Sequence, residues 1–191
     1  MSDFSAIWAV SKTLQYLLAQ QMRTDPQFTK EIPITLESPK AIRAARSTVS
    51  ESSISIWLYR VVRNEFLLNR QPDRKSPDRV PYLGIPVNLH YLITPMHADP
   101  ETQQVVLGKV LQVFNDRAVL RGGDLQASLS DSVEELRLTL DTLSLEELTR
   151  VWGALFEPYQ LSVSYIVQVL TIDSALEPVK ATPVESRQAA S

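Results

Sequence analysis

Two histidines and one aspartate are the side chains of this sequence best suited to bind a metal ion. His90 and His97 are the only histidines, and Asp99 follows the second one closely. Zinc sites in proteins use at least three converging ligands of this kind. His90 falls on the polar side of a predicted strand and His97 in a loop, so a third clustered ligand is missing. We therefore predict no metal site, and a small metal- or ligand-binding domain stays as one alternative.

Other patterns typical of enzymes are missing or have a structural explanation. No G-x-S-x-G motif occurs, and the glycine pair at 122–123 lacks the G-K-[ST] and G-x-G-x-x-G patterns that bind phosphate. The acidic pairs at 134–135 and 146–147 fit the start of a strand and the first turn of a helix, where carboxylates favour the helix dipole. Without cysteine, thiol nucleophiles and cysteine-bound metals are impossible. The sequence predicts neither catalytic residues nor a cofactor.

The chain has the length and composition of one folded domain. Its 191 residues are 44% hydrophobic, which is enough to bury a full core. No apolar run is long enough to span a membrane. We predict one folded domain over residues 1–173 and a disordered tail over residues 174–191. The N-terminal apolar segment lacks a basic leader and reads as a core helix from about Asp3 to Gln21.

The remaining periodicities predict an α+β domain with a mixed sheet flanked by helices. A short strand lies in IPITLESP, and longer strands lie in ISIWLYRVV, IPVNLHYLI, VEELRLTLDTL and SVSYIVQVLTID. Asp99 and Pro100 start one helix, and Ser144 with Glu147 forms a capping box for another. The almost continuous apolar run of ISIWLYRVV predicts a central strand covered on both faces, with Trp57 buried.

Charge is distributed unevenly along the chain. Residues 40–79 hold nine Lys or Arg and four Asp or Glu, although the whole chain has a net charge of −3. Within this region, residues 69–81 form a polar loop with three prolines, which we predict to be mobile. Arg70, Arg74, Lys75 and Arg79 make this loop basic, and we predict that they contact neighbouring acidic copies or the partners of the protein. The overall acidity argues against nucleic-acid binding.

Four ordered blocks of the sequence resemble a known family. They are SISIWLYRVVRNEFLLN, PVNLHYLITPM, VVLGKVLQVFND, and LSLEELTRVWGAL followed by EPYQLSVSYIVQV. Together they resemble the cap, or tail-terminator, proteins of extracellular contractile injection systems of the antifeeding-prophage type. The resemblance covers about residues 5–173.

The resemblance implies a phage tail-terminator-like fold and a structural function. It implies a homo-oligomeric ring, six-fold in this family, that ends the inner tube and sheath of a phage tail-like particle. It also implies assembly in the bacterial cytoplasm and a particle that is released or anchored. Longer family members continue past the matching region, so a longer cap paralogue is a further expected partner. A baseplate or adaptor subunit of the same machine is the second alternative.

Overall fold

A computed structural model describes residues 4–45, 52–67, 79–80, 82–130, 132–177 and 179–180. Most of the predicted loop at 69–81 and of the predicted tail from residue 174 lies outside these ranges. Among the helices that are described, none is long and apolar enough to cross a membrane.

The described residues form four α-helices and eight strands. The helices are α1 Ala6–Thr24, α2 Pro39–Ala45, α3 Pro100–Asp116 and α4 Leu145–Ala154. The strands are β1 Ile34–Thr35, β2 Ser53–Arg63, β3 Arg79–Val80, β4 Ile85–Met96, β5 Val119–Arg121, β6 Glu135–Asp141, β7 Val163–Ile172 and β8 Val179–Lys180. Short 3₁₀ helices occur at Glu65–Leu67, Gly122–Asp124 and Ala127–Leu129.

Six strands form one mixed sheet in the order β1-β2-β4-β7-β6-β5. Strands β1 and β2 are parallel, and all other neighbours in this sheet are antiparallel. Strands β3 and β8 pair separately as a two-stranded antiparallel sheet. The predicted α+β class with a mixed sheet is confirmed. The four long predicted strands are all present, whereas α2 and β5 have no counterpart in the sequence prediction.

Strand β4, between β2 and β7, is the strand that is buried on both faces. Its first half alternates, with Val87 and Leu89 buried and Asn88 and His90 less so, as predicted from the sequence. Its second half, residues 91–96, is buried at every position. Such burial on both faces is typical of a strand at the centre of a sheet.

The prediction that β2 is covered on both faces along its length is wrong. Its first four residues are buried, but Arg60, Val61 and Arg63 are exposed. The two cores cover β2 only as far as Tyr59, and among the described strands β1 pairs with β2 only at Ile54 and Ser55. A register shift between Leu58 and Arg60 marks a β-bulge there.

The larger core lies between one face of the sheet and helices α1 and α3. Helix α1 contributes residues at helical spacing that are fully buried, such as Val10, Leu14 and Leu18. Helix α3 contributes Val106, Val110 and Phe114, the apolar face that its sequence predicts. An ion pair of 2.6 Å between Lys109 Nζ and Asp25 Oδ2 joins α3 to the end of α1.

The opposite face of the sheet carries a smaller core under helix α4. Leu92, Trp152 and Leu155 are buried there, and Trp57 packs against them only partly buried. The indole Nε1 of Trp152 donates a hydrogen bond to Ser162 Oγ at 3.1 Å. The fully buried tryptophan of the fold is therefore Trp152, whereas the predicted burial of Trp57 holds only in part.

Both predicted helix starts are confirmed in detail. The carboxylate of Asp99 accepts hydrogen bonds from Glu101 N and Thr102 N at the start of α3. Ser144 and Glu147 form the reciprocal capping box of α4. Hydrogen bonds from Thr102 and from Ser144 hold the pKa of Asp99 and of Glu147, respectively, below the ordinary value of a carboxyl group. The stability that these two ionised carboxylates contribute is complete at a pH above the ordinary pKa of a carboxyl group. It is lost as the pH falls through the lowered pKa of each group.

Two residues of the predicted tail belong to a strand. Val179 and Lys180 pair with Val80 and Arg79 through the backbone. The boundary between the domain and a tail at residue 174 stays a prediction.

We expect Trp152→Ala to lower the free energy of unfolding by about 3–5 kcal/mol, because it leaves a cavity in the smaller core. Trp57→Ala should cost clearly less, because that side chain is already partly in contact with water. Urea denaturation followed by circular dichroism measures both values. Trp8→Ala, at a position 54% exposed, is the control and should change stability by about 0.5 kcal/mol at most. Equal losses at Trp57 and Trp152 would contradict this assignment of the core.

Candidate functional surfaces

A row of polar side chains crosses the sheet face that carries α4. Tyr59 of β2, His90 of β4, Ser164 of β7 and Asp141 of β6 lie side by side. The Tyr59 hydroxyl is 3.0 Å from Ser164 Oγ, which donates to Asp141 Oδ2 at 3.2 Å. His90 Nδ1 is 3.3 Å from the same carboxylate oxygen. Burial raises the pKa of the Tyr59 hydroxyl, so the phenol remains neutral and able to donate a hydrogen bond.

This row has the residue types of a hydrolase triad but not its geometry. A nucleophilic serine must hydrogen-bond to the histidine that removes its proton. Here the hydrogen bonds of Ser164 lead to Asp141 and Tyr59, while His90 contacts Asp141 separately. The four side chains therefore connect four strands across the sheet.

The structure separates the residues of the metal-site alternative. His90 lies within the sheet, whereas His97 follows the end of β4 and accepts a hydrogen bond from Asp99 N at 3.0 Å. Asp99 is engaged as the cap of α3. Among the residues that the structure describes, no group of three or more His, Asp or Glu side chains could hold a metal ion.

The basic residues predicted to form an interface fall mostly outside the described residues. Arg70, Arg74 and Lys75 lie in the undescribed segment 68–78. Arg79 is part of β3, where its backbone pairs with Lys180. Their assignment to an interface stays a prediction.

An apolar surface lies at the end of the sheet where β2 finishes and β4 begins. The backbone of Asn64 donates to Pro86 O at 2.8 Å, which holds the two strands together there. Phe66, Leu83 and Ile85 are all more than half exposed at this end. Arg60 and Arg63 of β2 are exposed beside them. In the chain, Leu67 and Arg79 flank the undescribed segment that carries Arg70, Arg74 and Lys75.

Two further surfaces were not foreseen from the sequence. One is a groove of about 500 Å³ between α1 and the segment leading into β1, which we call the Trp8–Tyr16 groove. The other is the turn after α4, residues 155–161, which we call the Phe156 turn and in which Phe156 is 85% exposed. Neither leaves a sequence signature, because the groove combines distant segments and a phenylalanine after a helix is not a recognised turn signal.

The described residues thus define an α+β domain with exposed apolar surfaces, and none of them form an assembled catalytic group. The sequence model of the Pvc16 N-terminal domain family matches residues 9–186, which is nearly the whole chain. The chain belongs to this family. No curated protein matches the sequence.

Two solved structures show the same fold. One is the PVC sheath/tube terminator of an extracellular contractile injection system in its extended state, with 20% sequence identity and a TM-score of 0.65. The other is the tube-terminating cap of the anti-feeding prophage, with 19% identity and a TM-score of 0.57. Each match covers all of this chain and 64% or 62% of the other chain. The chain therefore spans less than two thirds of the length of these proteins.

We expect Asp141→Ala to lower the free energy of unfolding by about 1–3 kcal/mol, because the Ser164 hydroxyl and the His90 ring lose their shared acceptor. Glu31→Ala is the control, since its 3.2 Å pair with Arg23 is highly exposed and such pairs contribute about 0–1 kcal/mol. Urea denaturation with and without added Zn²⁺ measures the effect. A rise in the wild-type midpoint with Zn²⁺ that Asp141→Ala abolishes would contradict a purely structural role.

Proposed function

We propose that this chain is a tail terminator that ends the inner tube and sheath of a contractile injection system. The observation that carries the proposal is the family match over residues 9–186, supported by the shared fold of two terminators of such systems. The terminator is a structural protein rather than an enzyme.

A ring is the form of assembly that suits this task. A tube of identical subunits ends in a surface that could bind another layer, so growth stops only when a different protein covers it. Contacts between two different surfaces of one chain close into a ring when the rotation between copies closes. A six-fold ring of this chain would cover the end of a six-fold tube. It would not present the surface to which another layer of tube subunits binds.

A second cap protein is part of the proposal. Both structural neighbours are longer than the matched region. If this chain acts without an equivalent of the additional region, a longer paralogue would supply it in the same cap. Assembly would take place in the bacterial cytoplasm, and the finished particle would be released or anchored.

We expect deletion of this protein to leave tubes and sheaths of irregular or excessive length. The reason is that an uncovered tube end continues to accept subunits. Electron microscopy of particles from the deletion strain measures the length distribution, and complementation with the wild-type gene is the control. A normal distribution would contradict the proposal. Gold labelling of the protein at the baseplate end would instead favour the adaptor alternative.

The basic residues Arg70, Arg74, Lys75 and Arg79 are proposed to contact neighbouring copies or the tube. Outside residues 40–79 the chain carries an excess of acidic residues, so a neighbouring copy offers the opposite charge. Single exposed ion pairs contribute about 0–1 kcal/mol. Repetition around a closed ring makes several weak contacts act together.

We expect simultaneous change of these four residues to Glu to leave the melting temperature nearly unchanged and to reduce the yield of capped particles. The reason is that the substitutions turn attraction between subunits into repulsion. Raised salt should weaken wild-type assembly in the same direction, because salt screens these contacts. A control with Arg117, Arg121, Arg137 and Arg150 changed to Glu alters the net charge equally. The proposed contact would be contradicted if the quadruple variant gave the wild-type yield of capped particles at both a low and a high ionic strength. An equal loss of yield in the control variant would contradict it as well.

A further inference from the structure

Phe156 adopts a backbone conformation that is unfavourable for its type. It follows the C-cap of α4 with φ of 56°, in the left-handed region. Its N–H donates to Gly153 O at 3.0 Å, and Glu157 N donates to Trp152 O at 3.3 Å. These two bonds form a Schellman motif, whose left-handed position is usually occupied by glycine because a Cβ is strained there.

The side chain of Phe156 gains almost nothing within the monomer to offset this strain. Its ring is 85% exposed, and Lys40 Nζ lies 5.3 Å from the ring centroid. Tyr159 of the same turn is also 44% exposed. Strained residues that persist at a surface mark binding sites more often than chance would place them there. A glycine at this position would avoid the backbone strain at the end of the helix. We therefore look for a role of the aromatic ring in binding.

The Trp8–Tyr16 groove provides a receptor of suitable chemistry on the same chain. Trp8 and Tyr16 of α1 form one wall and are 54% and 49% exposed. Ile32 and Ile34 line the other side. The groove holds about 500 Å³, which is ample for an aromatic side chain.

Charge also matches between the two surfaces. Glu31 lines the groove, and its pair with Arg23 is highly exposed on both sides, so Glu31 can change partner at little cost. Lys40, which lies over the Phe156 ring, is exposed and has no ion pair among the described residues. An aromatic ring entering the groove from a second copy would bring this ammonium group towards Glu31.

We propose that the Phe156 turn of one copy inserts into the Trp8–Tyr16 groove of a second copy. The two surfaces belong to helices on opposite faces of the sheet, because α1 packs in the larger core and α4 in the smaller one. A contact between two different surfaces can repeat from copy to copy and close into a ring. This inference rests on the proposed function, since it assigns the contact between neighbours in the terminator ring.

The first test separates stability from association. Phe156→Gly relieves the backbone strain, so its melting temperature should equal or exceed that of the wild type. Its self-association, measured by sedimentation velocity over a concentration series, and its yield of capped particles should both fall at least tenfold. Val133→Ala removes an apolar side chain that is fully exposed and lies on neither of the two proposed surfaces, and it is the matched control. Equal losses in both variants, or wild-type assembly of Phe156→Gly, would overturn the proposal.

The second test uses the fact that the contact joins two different surfaces. Ala19 lines the groove, and Ala19→Arg fills it and places a cation against the incoming Lys40. Each variant alone should fail to form rings. An equimolar mixture should form dimers and nothing larger, because only the Phe156 turn of Ala19→Arg and the groove of Phe156→Gly remain intact. Rings from either variant alone, or from the mixture, would overturn the assignment.

Crosslinking in assembled particles distinguishes this inference from the proposed function itself. The chain carries p-benzoylphenylalanine in place of Phe156 and is mixed with ¹⁵N-labelled wild-type chain before irradiation. Crosslinks from p-benzoylphenylalanine of the unlabelled chain to α1 or residues 31–34 of the labelled chain are the expected result. Crosslinks only to tube or sheath subunits, or none between copies, would overturn the second copy as the partner. The tube lengths of the deletion strain test the terminator function independently of this crosslinking result.

Discussion

The fold depends on a single strand that serves two cores at once. Tyr91 and Leu92 are neighbours in β4 and are completely buried on opposite faces of the sheet. On one side, the Tyr91 hydroxyl is 2.8 Å from Ser11 Oγ and thereby fixes helix α1. Burial raises the pKa of this phenol, so it remains a neutral hydrogen-bonding group. On the other side, Leu92 packs with Trp152 of α4. Contacts with these two neighbouring residues of β4 therefore position both α1 and α4.

This arrangement explains why the exposed surfaces keep a fixed relation to one another. The groove lies along α1, and the Phe156 turn ends α4, so both are held by the central strand. The row of polar side chains from Tyr59 to Asp141 links four strands across the sheet and adds to this rigidity. A rigid domain suits binding between copies, because little conformational freedom is lost on association.

The features predictable from the sequence are those determined by local chemistry. The caps at Asp99 and Ser144 follow from side chains within three residues of the groups that they bind. The alternation in the first half of β4 follows from the period of a strand. The cover over β2 could not be predicted, because an apolar run does not reveal how far the helices that pack on the sheet extend along the strand. Phe156 could not be predicted either, since the left-handed residue after a helix is ordinarily recognised by glycine.

The β-bulge near Tyr59 has a consequence for the chain before it meets its partners. Beyond Ser55 the outer side of β2 has no strand beside it among the described residues. A straight apolar edge of this kind is a template for amyloid-like aggregation. The bulge bends the edge, and Arg60 and Arg63 place charge along it. The two arginines that interrupt the hydrophobic pattern of β2 therefore disfavour pairing between the open edges of two copies.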